Sequence, residues 1–316
     1  MDDPKTLSLD DPPGASAWID PQTDRLMRRA TYAAVAVAAI LIVVKVAALV
    51  VTGSVSILAS LADSAIDALA SLVNLLAVRH ALRPADRQHR FGHGKAEPLA
   101  GLGQSAFVAG SAVFLLFQAV ERLIHPKPLA NAETGIGVML FSIAATTALV
   151  LYQRHVVRRT DSIAIRADSL HYKGDLLVNG SVILALVLSG AIGWTGIDAL
   201  FGAGIGLYIL SNAWAIAKAS LGPLMDRELP ESARARIRAI AEAHPEVGAI
   251  HDLRTRSAGL TTFIQFHMEV DGKLDLHTAH VISDDVEAKV RAAFPESEVI
   301  IHMDPEGLEE EHVTFA

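Results

Sequence analysis

Two apolar stretches carry acids and an imidazole at a spacing that could bind a metal. Residues 57–78 are apolar and long enough to cross a bilayer, yet they contain Asp63 and Asp67. Residues 162–188 repeat the device with His171 and Asp175. A charged side chain at membrane depth is costly, so it faces a cavity, a partner or an ion. Spacing of i, i+4 puts each pair on one helix face, a turn apart. Three carboxylates and one imidazole form a four-ligand set for a divalent cation. Such ligands bind metal only when deprotonated, so protons compete for the site. The imidazole's ordinary pKa of about 6.5 places that competition near physiological pH. Between the two stretches, Asp86, His89 and His93 form a second possible ligand group in a loop. A third consists of His251, His267, His280, His302 and Asp304, spread over the last third of the chain.

These residues need six membrane spans and a small soluble domain to hold them. Apolar runs fall at about 30–51, 57–80, 98–124, 134–154, 162–190 and 197–221. Lys45 is the one charge of the first run, and its side chain is expected to snorkel toward an interface or pair with an acid. Arg79, Arg83, Arg87, Arg90 and Lys95 lie between the second and third runs, and Arg154, Arg158 and Arg159 between the fourth and fifth. By the positive-inside rule both termini are cytoplasmic. Glycines at 101, 103 and 110 and at 202, 204 and 206 allow the third and sixth spans to pack closely. Residues 1–24, acidic and rich in proline, read as a mobile tail without a signal peptide. With no cysteine among 316 residues, disulfides are excluded and any metal must bind through histidine and carboxylate.

Beyond residue 223 the pattern becomes that of a soluble α+β domain. Helical spacing at 231–243 and 276–294 and strands at 249–255, 261–270 and 298–302 give the order αββαβ, a ferredoxin-like arrangement. Residues 226–316 hold 19 acids and 9 bases, a net charge of −10, which argues against nucleic-acid binding. The expected domains are therefore the tail 1–24, a transmembrane domain 25–222, a cytoplasmic metal-binding domain 223–305 and an acidic tail 306–316.

Asp-x-x-x-Asp in the second span, His-x-x-x-Asp in the fifth and the Phe-Gly-His-Gly-Lys-Ala-Glu loop at 91–97, with the αββαβ domain, resemble the cation diffusion facilitator family. The likeness runs over about residues 25–305 and is greatest to its bacterial zinc- and ferrous-iron-efflux type. It implies a homodimeric metal-cation/proton antiporter of the bacterial inner membrane, working by alternating access from cytoplasm to periplasm. The implied transport site is Asp63, Asp67, His171 and Asp175, and the implied loop site is Asp86, His89 and His93. In the cytoplasmic domain the resemblance places one metal on His251, His267 and Asp304, and another on His280, His302 and the bridging Asp304, with a backbone contribution near Met303. Lys95 and Asp226 correspond to a pair joining protomers at the membrane face, and Leu170 to an apolar gate. Zn²⁺ suits these ligands, but Cd²⁺, Fe²⁺, Co²⁺ and Mn²⁺ share them. Two other classes stay open on the residues alone, a membrane-anchored metal sensor and an intramembrane metalloenzyme. The second lacks an open coordination position and a separate glutamate base.

Overall fold

The computed structural model describes residues 20–52, 55–125, 136–192 and 197–307. The expected tails therefore lie outside the described residues except at 20–24 and 306–307, as does part of the turn after the first span. In chain order the elements are α1 (Pro21–Thr52), α2 (Val55–Ala81), α3 (Ala96–Ile124), α4 (Ile136–Thr160), α5 (Ile163–Ile192), α6 (Ile197–Leu224), α7 (Glu231–Glu242), β1 (Ile250–Ala258), β2 (Thr261–Val270), α8 (Leu276–Ala293) and β3 (Ser297–Pro305). They form two compact units. One joins Pro21–Ala81 to Lys95–Gly222; the other joins Leu82–Gly94 to the chain from Pro223 onward.

The first unit is the helical membrane domain. Helices α1, α2, α3, α4 and α6 are each long and apolar enough to span. Helix α5 is as long, at 30 residues, but carries Arg166, Asp168, His171, Lys173 and Asp175 in its first half. Ile165, Ala167, Asp168, Leu170, His171 and Tyr172 in that half are all buried, so Asp168 and His171 meet neighbouring helices rather than lipid, while Arg166 is exposed beside Asp161. Helix ends extend past the apolar runs for identifiable reasons. Helix α1 begins about two turns early, where Arg28 Nε sits 2.9 Å from Asp24 Oδ2 at i, i+4. Arg154, Arg158 and Arg159, expected in a linker, form the last turns of α4, where cations suit the helix dipole. The helix stops at Asp161, whose φ of 49° is left-handed.

Close approaches hold the bundle together. A Cβ on Gly101 would lie 2.7 Å from Ile163 and 2.9 Å from Ser220, so α3 meets α5 and α6 there only because the residue is glycine. Gly206 plays the same part against Leu116 at 2.8 Å, whereas Gly103, Gly110 and Gly204 meet no described neighbour within 4 Å. Buried Glu97 on α3 accepts the Ile163 N–H at 2.9 Å and so caps the start of α5 from outside.

In the second unit, β1 and β2 are antiparallel, β2 and β3 are parallel, and α8 is the crossover between β2 and β3. Ile264, Phe266, Met268 and Val270 alternate along β2 onto one face, where they pack with Ile237 and Ala241 of α7 and Val286 and Val290 of α8. The opposite face of β2 carries Phe263 and then the polar Gln265, His267 and Glu269.

Candidate metal centres

In the membrane unit, α2 and α5 bring three of the four expected ligands together. His171 Nε2 lies 2.9 Å from Asp67 Oδ1 and 3.8 Å from Asp175 Oδ2. One ligand atom from each residue fits within a mutual spacing of 4.8 Å. Asp63 is outside that trio but lines the same cavity of about 750 Å³, a turn from Asp67 on α2. Lys45 lines this cavity too, contrary to the snorkelling expectation. It is buried, and its Nζ donates to Ser60 O at 3.0 Å and Ser64 Oγ at 2.6 Å. Leu170, just before His171, packs into an apolar layer with Val108, Ala112, Ile209 and Ile216.

Sequence reasoning missed the network one turn before His171. Asp168, fully buried, accepts from Gln153 Nε2 at 2.6 Å and from Ser71 Oγ at 3.3 Å. Ser71 Oγ is in turn hydrogen-bonded to Tyr172 OH at 2.8 Å. These bonds tie α5 to α2 and α4 beside the imidazole. The signal was available, because Asp168 is itself a carboxylate inside a span.

In the second unit, Asp86, His89 and His93 converge as well. Asp86 Oδ1 is 3.2 Å from His89 Nδ1, and Asp86 Oδ2 is 3.3 Å from His93 Nε2. The loop is held by Asp86 Oδ1 accepting the backbone N–H groups of His89 at 2.7 Å and Gln88 at 2.8 Å. The His89 backbone bond is the main cause holding the Asp86 carboxyl below its usual range, keeping it ionised for a cation. The loop docks on the β1–β2 hairpin. Phe91 meets Phe263 edge-on at 5.6 Å, and the Arg256 guanidinium covers both rings. Arg256 Nη1 also lies 3.3 Å from Asp226 Oδ1. Lys95, expected to pair with Asp226 between protomers, belongs to the membrane unit and stands at the residue before α3.

The sheet aligns the candidate ligands of the second unit. His251 pairs with His267 across β1 and β2, and His267 pairs with His302 across β2 and β3, so three imidazoles form one row. Asp304, two residues past His302, emerges on the same face. Its Oδ2 lies 2.8 Å from His267 Nδ1 and 3.5 Å from His251 Nε2, while its Oδ1 lies 3.2 Å from His302 Nε2. His280 is not part of this group; its Nε2 is 3.7 Å from Asp284 Oδ2 on its own helix, and both side chains are exposed. Glu269, 3.8 Å from His251, was legible as the strand position two past His267. Asp252, grouped with His251 and His267, was not, because it owes its place to an irregularity in β1 and a φ of 48°.

Both units match known domains. Residues 31–225 fit the model of the cation efflux transmembrane domain, and residues 229–306 that of the cation efflux protein cytoplasmic domain. The chain belongs to the cation diffusion facilitator family. It is 51% identical over 284 residues to the cation-efflux pump FieF of Shewanella oneidensis, covering 90% of this chain and 96% of that one. It is 50% identical over 281 residues to a cation-efflux pump FieF of Klebsiella pneumoniae, covering 89% and 93%. A metal-bound C-terminal domain of the CzcD transporter from Thermotoga maritima is 29% identical over 26% of this chain and 100% of that one, with a TM-score of 0.25. As a cation diffusion facilitator the chain is a membrane-spanning cation efflux transporter and not an enzyme, so the metalloenzyme reading falls away.

Proposed function

We propose that this facilitator exports Zn²⁺ from the cytoplasm in exchange for protons. It works as a homodimer in the bacterial inner membrane with both termini in the cytoplasm. The observation that carries the proposal is the Asp67–His171–Asp175 cluster on two helices of the membrane unit, with Asp63 on the same cavity. One nitrogen and three oxygens suit Zn²⁺, and Cd²⁺, Fe²⁺, Co²⁺ and Mn²⁺ compete for such a set. The cargo enters when the ligands are deprotonated and leaves when protons from the other side reload them. Alternating access comes from rocking the helices that carry the ligands against the rest. Residues 25–222 act as the transport domain and 223–305 as the metal-responsive domain, with Leu170 closing the path beside His171. Lys95 and Asp226 serve the join between protomers.

The cytoplasmic donors fit resident metal. Donors around a tetrahedral zinc sit about 3.4 Å apart when each is about 2.1 Å from the ion. The Asp304–histidine separations of 2.8, 3.2 and 3.5 Å bracket that value. Asp304 would hold metal on both its oxygens, with His251 and His267 on one side and His302 on the other. Asp86, His89 and His93 would hold another. Metal there supplies positive charge to an acidic domain and draws its elements together.

The test is flux into proteoliposomes with an acid lumen and Zn²⁺ outside. Zinc should accumulate while the pH gradient lasts, stop when an ionophore collapses it, and fall to background in Asp67→Ala. Zinc entry at one rate with and without the gradient would overturn the exchange.

A further inference from the structure

The transport cavity contains a cation of its own. Lys45, on α1, is 8% exposed and lines the same cavity as Asp63, Asp67, His171 and Asp175. Its Nζ is held by uncharged groups, Ser60 O at 3.0 Å and Ser64 Oγ at 2.6 Å. Both anchors are on α2, and Ser64 adjoins Asp63. The carboxylates acting on the ammonium through space are Asp67, Asp63 and Asp175. The side chain is thus tethered beside the ligands and faces them without occupying their oxygens.

We propose that Lys45 is a fixed counter-charge of the transport site, weakening its hold on a cation in proportion to that cation's charge. The inference rests on the transport-site reading above. Three carboxylates and a neutral imidazole around a dication leave one negative charge, and Lys45 cancels it. A loaded site of zero net charge is the least costly at membrane depth. Without the ammonium, the three carboxylates would grip a dication harder than a transporter can use, since cargo must also leave. A trivalent ion feels the same repulsion half again as strongly, because Coulomb energy scales with charge. Lys45 therefore sets both the release of the dication and its preference over ions of higher charge.

A purely structural lysine makes the opposite prediction. Removing a brace between α1 and α2 would loosen Asp63 and Asp67 and weaken binding of every ion.

The experiment uses the full-length chain, with Zn²⁺ and Tb³⁺ as probes, at a pH where wild-type affinity no longer changes with pH. The transport-site step is the binding event that Asp67→Ala removes. Lys45→Gln loses the charge but keeps an N–H donor for Ser60 O, Lys45→Met loses both, and Lys45→Arg keeps the charge. Lys45→Gln and Lys45→Met should tighten Zn²⁺ by about tenfold or more and Tb³⁺ by a larger factor, with Lys45→Arg near wild type. Lys45→Gln alone decides the matter if Lys45→Met does not fold. Unchanged or weaker binding in the neutral variants would overturn the proposal, as would an equal change in Lys45→Arg. If Asp67→Ala removes no binding event, the transport-site reading itself fails, which is a separate outcome.

Discussion

At the residue scale, Asp304 is the clearest case of one side chain serving two neighbours. Its two oxygens face opposite flanks, Oδ2 toward His267 and His251 and Oδ1 toward His302. A carboxylate so placed offsets the repulsion between two dications about 3.5–4 Å apart. Asp304→Ala should therefore lose metal from both flanks together, read as about two fewer metals per chain by native mass spectrometry. Loss of only one would show that the carboxylate does not bridge. His171 is the single nitrogen among the proposed transport ligands, and His171→Asp would make the set all oxygen. Competition binding should then shift toward Mn²⁺ relative to Zn²⁺, since carboxylates favour harder ions. An unchanged ranking would remove His171 from the selectivity of the site. The residues on α2 and α5 were legible because few physical reasons put a carboxylate or imidazole inside a span. Asp168 and Lys45 obey the same rule, and their partners, Gln153, Ser71, Ser60 and Ser64, come from helix contacts that no local pattern encodes.

At the element scale, two periodicities explain what could be read. The i, i+4 pairs pointed Asp67, His171 and Asp175 inward, and period 2 along β2 put His267 opposite the core-facing Phe266 and Met268. Period alone could not align three strands. The row of His251, His267 and His302 depends on register, and the β1 irregularity between His251 and Arg254 shifts that register. Nor could it show that loop 82–94 docks on the hairpin through Phe91, Arg256 and Phe263, which are distant in sequence. Helix α8 permits a test of local design. Asp275 caps it by accepting the Thr278 N–H at 2.8 Å, and that bond holds its carboxyl below the usual range. A lowered folded value means the contribution is full above about pH 4, the ordinary aspartate value, and is lost as pH falls through the folded value. In urea unfolding of the second unit, which has its own core, Asp275→Ala should be less stable than wild type at neutral pH. The two should converge in acid. A gap that stays constant with pH would exclude an ionised cap.

On the scale of the whole molecule, charge divides the labour. Residues 226–316 carry a net charge of −10, so two copies of the domain repel unless bound metal offsets it. Chelation should weaken self-association of the full-length chain in sedimentation, most of all at low salt, where screening is least. Association indifferent to chelator would contradict a metal-responsive interface. The membrane unit has its own candidate ligands on α2 and α5. Its ligand set is the central claim, and zinc K-edge absorption tests it most directly. The sample is the full-length chain with His89, His93, His251, His267 and His302 each replaced by alanine, which removes the histidines of the other candidate sites. It should retain about one zinc per chain, four-coordinate, with one nitrogen and three oxygens at about 2.0–2.2 Å. Asp67→Ala in the same background should lose that signal. A retained zinc with two or more imidazoles, or a spectrum unmoved by Asp67→Ala, would contradict the account.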